Sequence, residues 1–131
     1  MIIDSSALMA IVDDEPDGAR LLAMAAGADC KMSVATKLEV SIVADARSRA
    51  HGVRLDQVVE ALAIELVPVS VRQGEVARGA YRRYGRGSGS AARLNFGDCF
   101  AYALSVTSGE PLLFTGEDFT HTDVTVAVPP G

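Results

Sequence analysis

Short apolar runs that stop at a polar residue alternate along this chain with longer stretches of helical character. Met1-Ile2-Ile3-Asp4 reads as a buried strand closed by a carboxylate, and Ser5-Ser6 lead into Ala7-Leu8-Met9-Ala10-Ile11-Val12, a helix. Residues 13–17 form an acidic, solvated turn in which Pro16 is placed to open the next helix, 19–28. Lys31-Met32-Ser33-Val34 predicts a second strand, and a long helix follows over 35–50. A further helix at 55–64 comes after Gly52, then a strand at 66–69 whose Pro68 suggests a short or edge position. Residues 72–84 read as helix, and Gly85-Arg86-Gly87-Ser88-Gly89-Ser90 is a loop that lacks the lysine of a phosphate-binding P-loop. Asn95 is a favoured cap for a helix running through Leu104, Pro111-Leu112-Leu113-Phe114 is a buried strand, and 124–128 is a last strand. The alternation, with no internal repeat, predicts an α/β fold: a mainly parallel central sheet with helices on both faces.

The 131 residues make one domain, expected to span 1–131, and a hydrophobic fraction of 49% suffices for one sizeable core. No uncharged apolar run approaches the roughly 18 residues of a membrane helix, and Asp4 without a basic lead-in argues against a signal peptide. No membrane association and a cytoplasmic location are therefore expected. Cys30 and Cys99 are too few for a disulfide framework and lack metal-ligand spacing, so both should be reduced and buried.

Charge changes the picture, because the net −5 is unevenly laid out. Residues 1–71 carry 11 acids and 6 bases, residues 72–93 carry 6 arginines against Glu75, and residues 94–131 carry 5 acids and no base. A basic segment is set into an acidic protein.

Four acids stand where chemistry could use them. Asp4 ends a strand, where open α/β sheets bind ligands, and it can equally cap the helix that follows. Asp98 falls in a helix first turn, three residues after Asn95, which a capping box alone would explain. Glu39 shares a helix side with Ala35, Ile42 and Val43. A carboxylate on such an apolar face needs a cation, a metal or a raised pKa, unless a salt bridge satisfies it. Asp118 leaves the strand ending at Phe114. Four carboxylates without a lysine or arginine beside them would repel one another, and a hard divalent cation, Mg²⁺ or Mn²⁺, resolves that conflict. No histidine pair or cysteine cluster suggests zinc; His51 and His121 read as incidental, and Asp45, Arg47 and Arg49 as solvent-facing charge.

Met1-Ile2-Ile3-Asp4-Ser5-Ser6-Ala7, Ser33-Val34-Ala35-Thr36-Lys37-Leu38-Glu39-Val40, Leu94-Asn95-Phe96-Gly97-Asp98 and Leu113-Phe114-Thr115-Gly116-Glu117-Asp118-Phe119 together resemble the PIN domain, and more narrowly the VapC toxins of toxin-antitoxin pairs. Ser5 stands where threonine is the commoner choice, and the hydroxyl is kept. The resemblance implies a PIN-like single domain and a magnesium-dependent endoribonuclease. Asp4 and Asp98 would be the principal metal ligands, with Glu39 and Asp118 completing the site and Ser6 orienting a water on the metal. Hydrolysis would leave a 5′-phosphate. It also implies a VapB-like antitoxin partner and a homodimer, or a hetero-oligomer with that antitoxin.

Arg78, Arg82 and Arg86 recur every four residues and Arg93 precedes the Asp98 motif, so Arg82, Arg86 and Arg93 are the expected RNA contacts; a solvated face making surface ion pairs is the alternative. Two rivals remain to be weighed. A response-regulator receiver needs a lysine after a late strand, and the only lysines are Lys31 and Lys37. A catalytically idle PIN-like module binding RNA or a partner would not need all four acids.

Overall fold

The computed structural model describes residues 1–129. Its first strand, β1 (Ile2–Ile3), is followed by α1 (Ser5–Val12) and α2 (Gly18–Ala26). Next come β2 (Lys31–Ser33), α3 (Val34–Arg47), α4 (Arg49–Ala61) and β3 (Glu65–Val67). The chain continues through α5 (Val71–Tyr84), α6 (Phe96–Ser108), β4 (Leu112–Leu113) and a 3-10 turn, Asp118–His121. The sheet order is β3-β2-β1-β4, with every pairing parallel, and β3 lies at the edge as Pro68 suggested.

Alternation along the strands divides the core in two. Ile3 and Leu113 turn to one face, where α1 to α4 contribute Leu8, Leu21, Val40 and Leu55. Ile2 and Leu112 turn to the other, where Leu94 and the α5 and α6 residues Ala80, Tyr102 and Leu104 cover them. This is the period of two expected of strands buried on both sides. Cys30 and Cys99 are both free and buried. Among the described residues, no helix is long and apolar enough to cross a membrane.

Four expectations are corrected. The helix read over 35–50 ends at Arg47, because Ser48 is extended (φ −173°, ψ 162°) and its hydroxyl accepts from the His51 N–H, starting α4. The helix read from 55 therefore begins at Arg49 and runs through Gly52, where a Cβ would overlap the Asp45 carboxylate. The last strand, 124–128, reduces to one bridge, Val126 to Leu112, with Val126 and Val128 facing solvent. Pro130 and Gly131, which close the expected domain, lie outside the described residues. Asp13 and Arg47 are not merely solvated: they form an ion pair joining the α1–α2 turn to the end of α3, with His51 Nε2 3.5 Å from Asp13.

Candidate active site

The chain winds from β1 outward to β2 and β3, then returns to place β4 on the other side of β1. The carboxyl ends of β1 and β4 thus flank the point where strand order reverses, the usual ligand crevice of an open α/β sheet. Asp4 follows β1 directly and is buried. Its Oδ2 accepts the Ser6 backbone N–H at 3.0 Å and the Ser6 hydroxyl at 2.6 Å, so it caps α1 from the end of the strand. The Ser6 Oγ in turn accepts the Thr115 N–H at 3.0 Å, beyond β4. One hydroxyl therefore ties the two strand ends together and fixes the Asp4 carboxylate.

Asp98 sits in the first turn of α6 inside a complete capping box: Asn95 Oδ1 accepts the Asp98 N–H at 2.8 Å, and Asp98 Oδ2 accepts the Asn95 N–H at 3.0 Å. The box occupies one oxygen and fixes the rotamer. Glu39 comes from α3, and its carboxylate packs against the bare α-carbon of Gly97. Ser5, Ser6, Glu39, Asn95 and Asp98 line a cavity of about 250 Å³. Asp118 begins the 3-10 turn and is exposed, outside the residues that line this cavity.

The electrostatics join these groups. Burial pushes the Asp4 carboxyl up to about 6, against the lowering effect of the Ser6 hydrogen bonds and with help from the charges of Asp98 and Glu39. Burial also raises Asp98, and Glu39 and Asp118 add to it, while Arg86 opposes. Four acids distant in sequence thus share one field. The donor set is all oxygen, which suits a hard divalent ion. Among the described residues, however, no three carboxylates stand close enough to hold one ion together. The residues therefore fit an ion that keeps much of its water, as Mg²⁺ does.

The burial expected of Glu39 is corrected: it is only half-buried, because its neighbours Leu38 (63% exposed) and Ile42 (60% exposed) face solvent. Its helix side is apolar but uncovered. Lys37, the nearest cation in sequence, pairs with Asp56. Arg82, Arg86 and Arg93 are all exposed and, among the described residues, form no ion pair, although Arg83 pairs with Asp123. Arg86 alone of the three has a charge felt by Asp98. Gly97 and the Thr115 N–H went unread in the sequence. The signal for the first was a glycine in a helix first turn, where it costs stability without a packing reason.

A parallel α/β sheet with carboxylates gathered at its switch point is the plan of a metal-ion phosphodiesterase. Residues 1–124 match the PIN domain, and the chain belongs to the PIN-domain family, in the group of the VapC ribonucleases. It is 48% identical over 132 residues to Ribonuclease VapC30 of Mycobacterium tuberculosis, covering 98% of this chain and all of the relative. The crystal structure of Mycobacterium tuberculosis VapC20, a Sarcin-Ricin loop cleaving toxin, superposes with a TM-score of 0.78 over 98% of both chains at 14% identity. VapBC2 from Rickettsia felis, bound to a DNA fragment from its promoter, gives 0.70 over 95% of this chain and 94% of that one at 11% identity. These two likenesses speak to the fold. PIN-domain ribonucleases generally use a divalent metal.

Proposed function

We propose that this protein is the toxin of a type II toxin-antitoxin system, a divalent-metal endoribonuclease built as one PIN domain. The observation that carries the reading is the placement of Glu39 and Asp98 on one cavity at the switch point beside the buried Asp4, whose proton affinity both of their charges raise, as Glu39 also raises that of Asp98. The near-full-length likeness to a VapC ribonuclease supports it. Asp4 and Asp98 hold the ion, Mg²⁺ or in its place Mn²⁺, and Glu39 and Asp118 complete the site directly or through water. When bound, such an ion lowers the pKa of a coordinated water and offsets charge on the phosphodiester. The chain's own work is positional. Ser6 holds the Asp4 carboxylate, leaving one lone pair to orient a water, and the capping box leaves Asp98 Oδ1 free. Arg82, Arg86 and Arg93 supply the cations that draw an RNA backbone toward an acidic protein.

An anionic pocket cannot silence itself, so inhibition falls to a cationic side chain from a VapB-like antitoxin. Arginine is suited to this, since its fork pairs with carboxylates. The uncovered α3 residues Val34, Leu38, Ile42 and Val43 offer an apolar face for a partner, the antitoxin or a second copy. The protein acts in the cytoplasm. Cleavage of RNA that requires Mg²⁺ or Mn²⁺, stops with EDTA and is lost on co-purification with the antitoxin tests the reading. Binding without cleavage in any of these ions would instead make the protein an idle module.

A further inference from the structure

The chain has 7 phenylalanines and tyrosines and no tryptophan, and only two of the seven rings, Tyr81 and Phe96, are exposed (43% and 76%). They meet on one open cavity of about 310 Å³ between α5 and α6, whose wall also includes Gly74, Arg78, Cys99 and Phe100. Phe100 stands edge-on to Phe96, ring centres 5.0 Å apart and planes at 87°, a contact that favours this placement of the Phe96 ring. The carboxylates are connected to this cavity by shared walls. Glu39 lines both the acidic cavity and a second, apolar one, and Phe96 and Phe100 line both that one and the cavity of Tyr81.

We propose that the Tyr81–Phe96 cavity is a nucleobase pocket, taking one unstacked base of the single-stranded RNA whose backbone crosses the carboxylates. The inference rests on the ribonuclease reading and deepens it. Single-stranded RNA is recognised by stacking bases on aromatic and guanidinium planes, and such stacking tolerates many sequences. Charge selects this occupant over a protein partner. The cavity lies on α5, in the segment whose six arginines face a single acid, and Arg78 on its wall is exposed and, among the described residues, unpaired. The middle cavity, walled by Leu38 and Ile42 without a cation, is the one suited to an apolar partner.

The test measures binding of fluorescein-labelled oligouridylate, and of an oligomer of equal length with abasic riboses, by anisotropy in EDTA so that nothing is cut. Three variants are compared: Tyr81→Ala, Phe96→Ala and Gly74→Leu. The last fills the cavity from a helix position where a Cβ meets nothing within 4 Å, so it leaves the fold in place. Wild-type protein should prefer the oligouridylate to the abasic strand. Each variant should lose roughly 5- to 150-fold in oligouridylate affinity, the range stacking of one base supplies, with the abasic affinity and salt dependence unchanged. A wild type that does not distinguish the two strands, or variants that distinguish them as well as wild type does, overturn the pocket. So does a Phe96→Ala that changes the sedimentation mass yet keeps base preference, which would make this face a protein interface. Binding and base preference without cleavage in Mg²⁺ or Mn²⁺ would overturn the nuclease reading and leave the pocket standing.

Discussion

The Glu39 carboxylate rests against Gly97, in the space a side chain at that position would fill. Two elements distant in sequence, α3 and the first turn of α6, are thereby joined at the residue before Asp98. Gly97→Ala should push the end of a flexible side chain and leave the backbone alone. Helix propensity favours alanine by about 1 kcal/mol, so thermal melting should hold or rise. RNA cleavage should nonetheless fall at least tenfold as Glu39 leaves the site. A variant that melts unchanged and cleaves at the wild-type rate would show that Glu39 has no part in the chemistry.

Asp98→Asn separates charge from shape. The amide oxygen can still accept the Asn95 N–H, so the capping box survives, and relief of repulsion from Glu39 and Asp118 should leave stability equal or slightly higher. Cleavage should disappear, and Mg²⁺-induced stabilisation in melting scans should shrink with it. Full activity in this variant would sink the metal-site assignment.

How much of this could be read beforehand depends on whether a feature is local. The Asn95–Asp98 box was legible because both halves lie within one turn, and the edge position of β3 because proline cannot donate to a ladder. The break at Ser48 was not, since helical periodicity runs smoothly across it and only the side-chain cap shows where α3 stops. Glu39 was singled out on an expectation of burial that the structure corrects: spacing shows that Ile42 and Val43 share its side of the helix, but not that this side is left uncovered. The pairing of Asp13 with Arg47 joins residues far apart along the chain, and no local pattern contains it.

Asp4 gives a pH dependence of defined sign. Its carboxyl binds a proton more tightly in the folded protein, near 6, than in the unfolded chain, near 3.8, chiefly because it is buried. A raised pKa contributes stability that is complete below the unfolded value and is lost as pH climbs through the folded one. At about 1.4 kcal/mol per unit the loss is roughly 3 kcal/mol for metal-free protein. In EDTA, the Tm of the wild type should therefore fall between pH 4 and pH 7 relative to Asp4→Asn, which keeps an acceptor for Ser6. Adding Mg²⁺ should stabilise the wild type more at pH 7.5 than at pH 5. Parallel Tm profiles for the two proteins would refute the assignment of the buried acid.

Arg82 and Arg86 bracket the end of α5, exposed and without acidic partners among the described residues, in a protein whose net charge of −5 would otherwise repel RNA. Each phosphate of a single strand that is no longer neutralised should reduce the slope of log affinity against log salt by roughly 0.7. Arg82→Ala with Arg86→Ala should weaken RNA binding at low salt and flatten that dependence by about 1.4. The two are not equivalent, because only the Arg86 charge is felt at Asp98. Arg86→Ala alone should therefore reduce cleavage more than Arg82→Ala, while both singles flatten the salt dependence by similar amounts. An unaltered slope in the double variant would mean the strand takes another path across the protein.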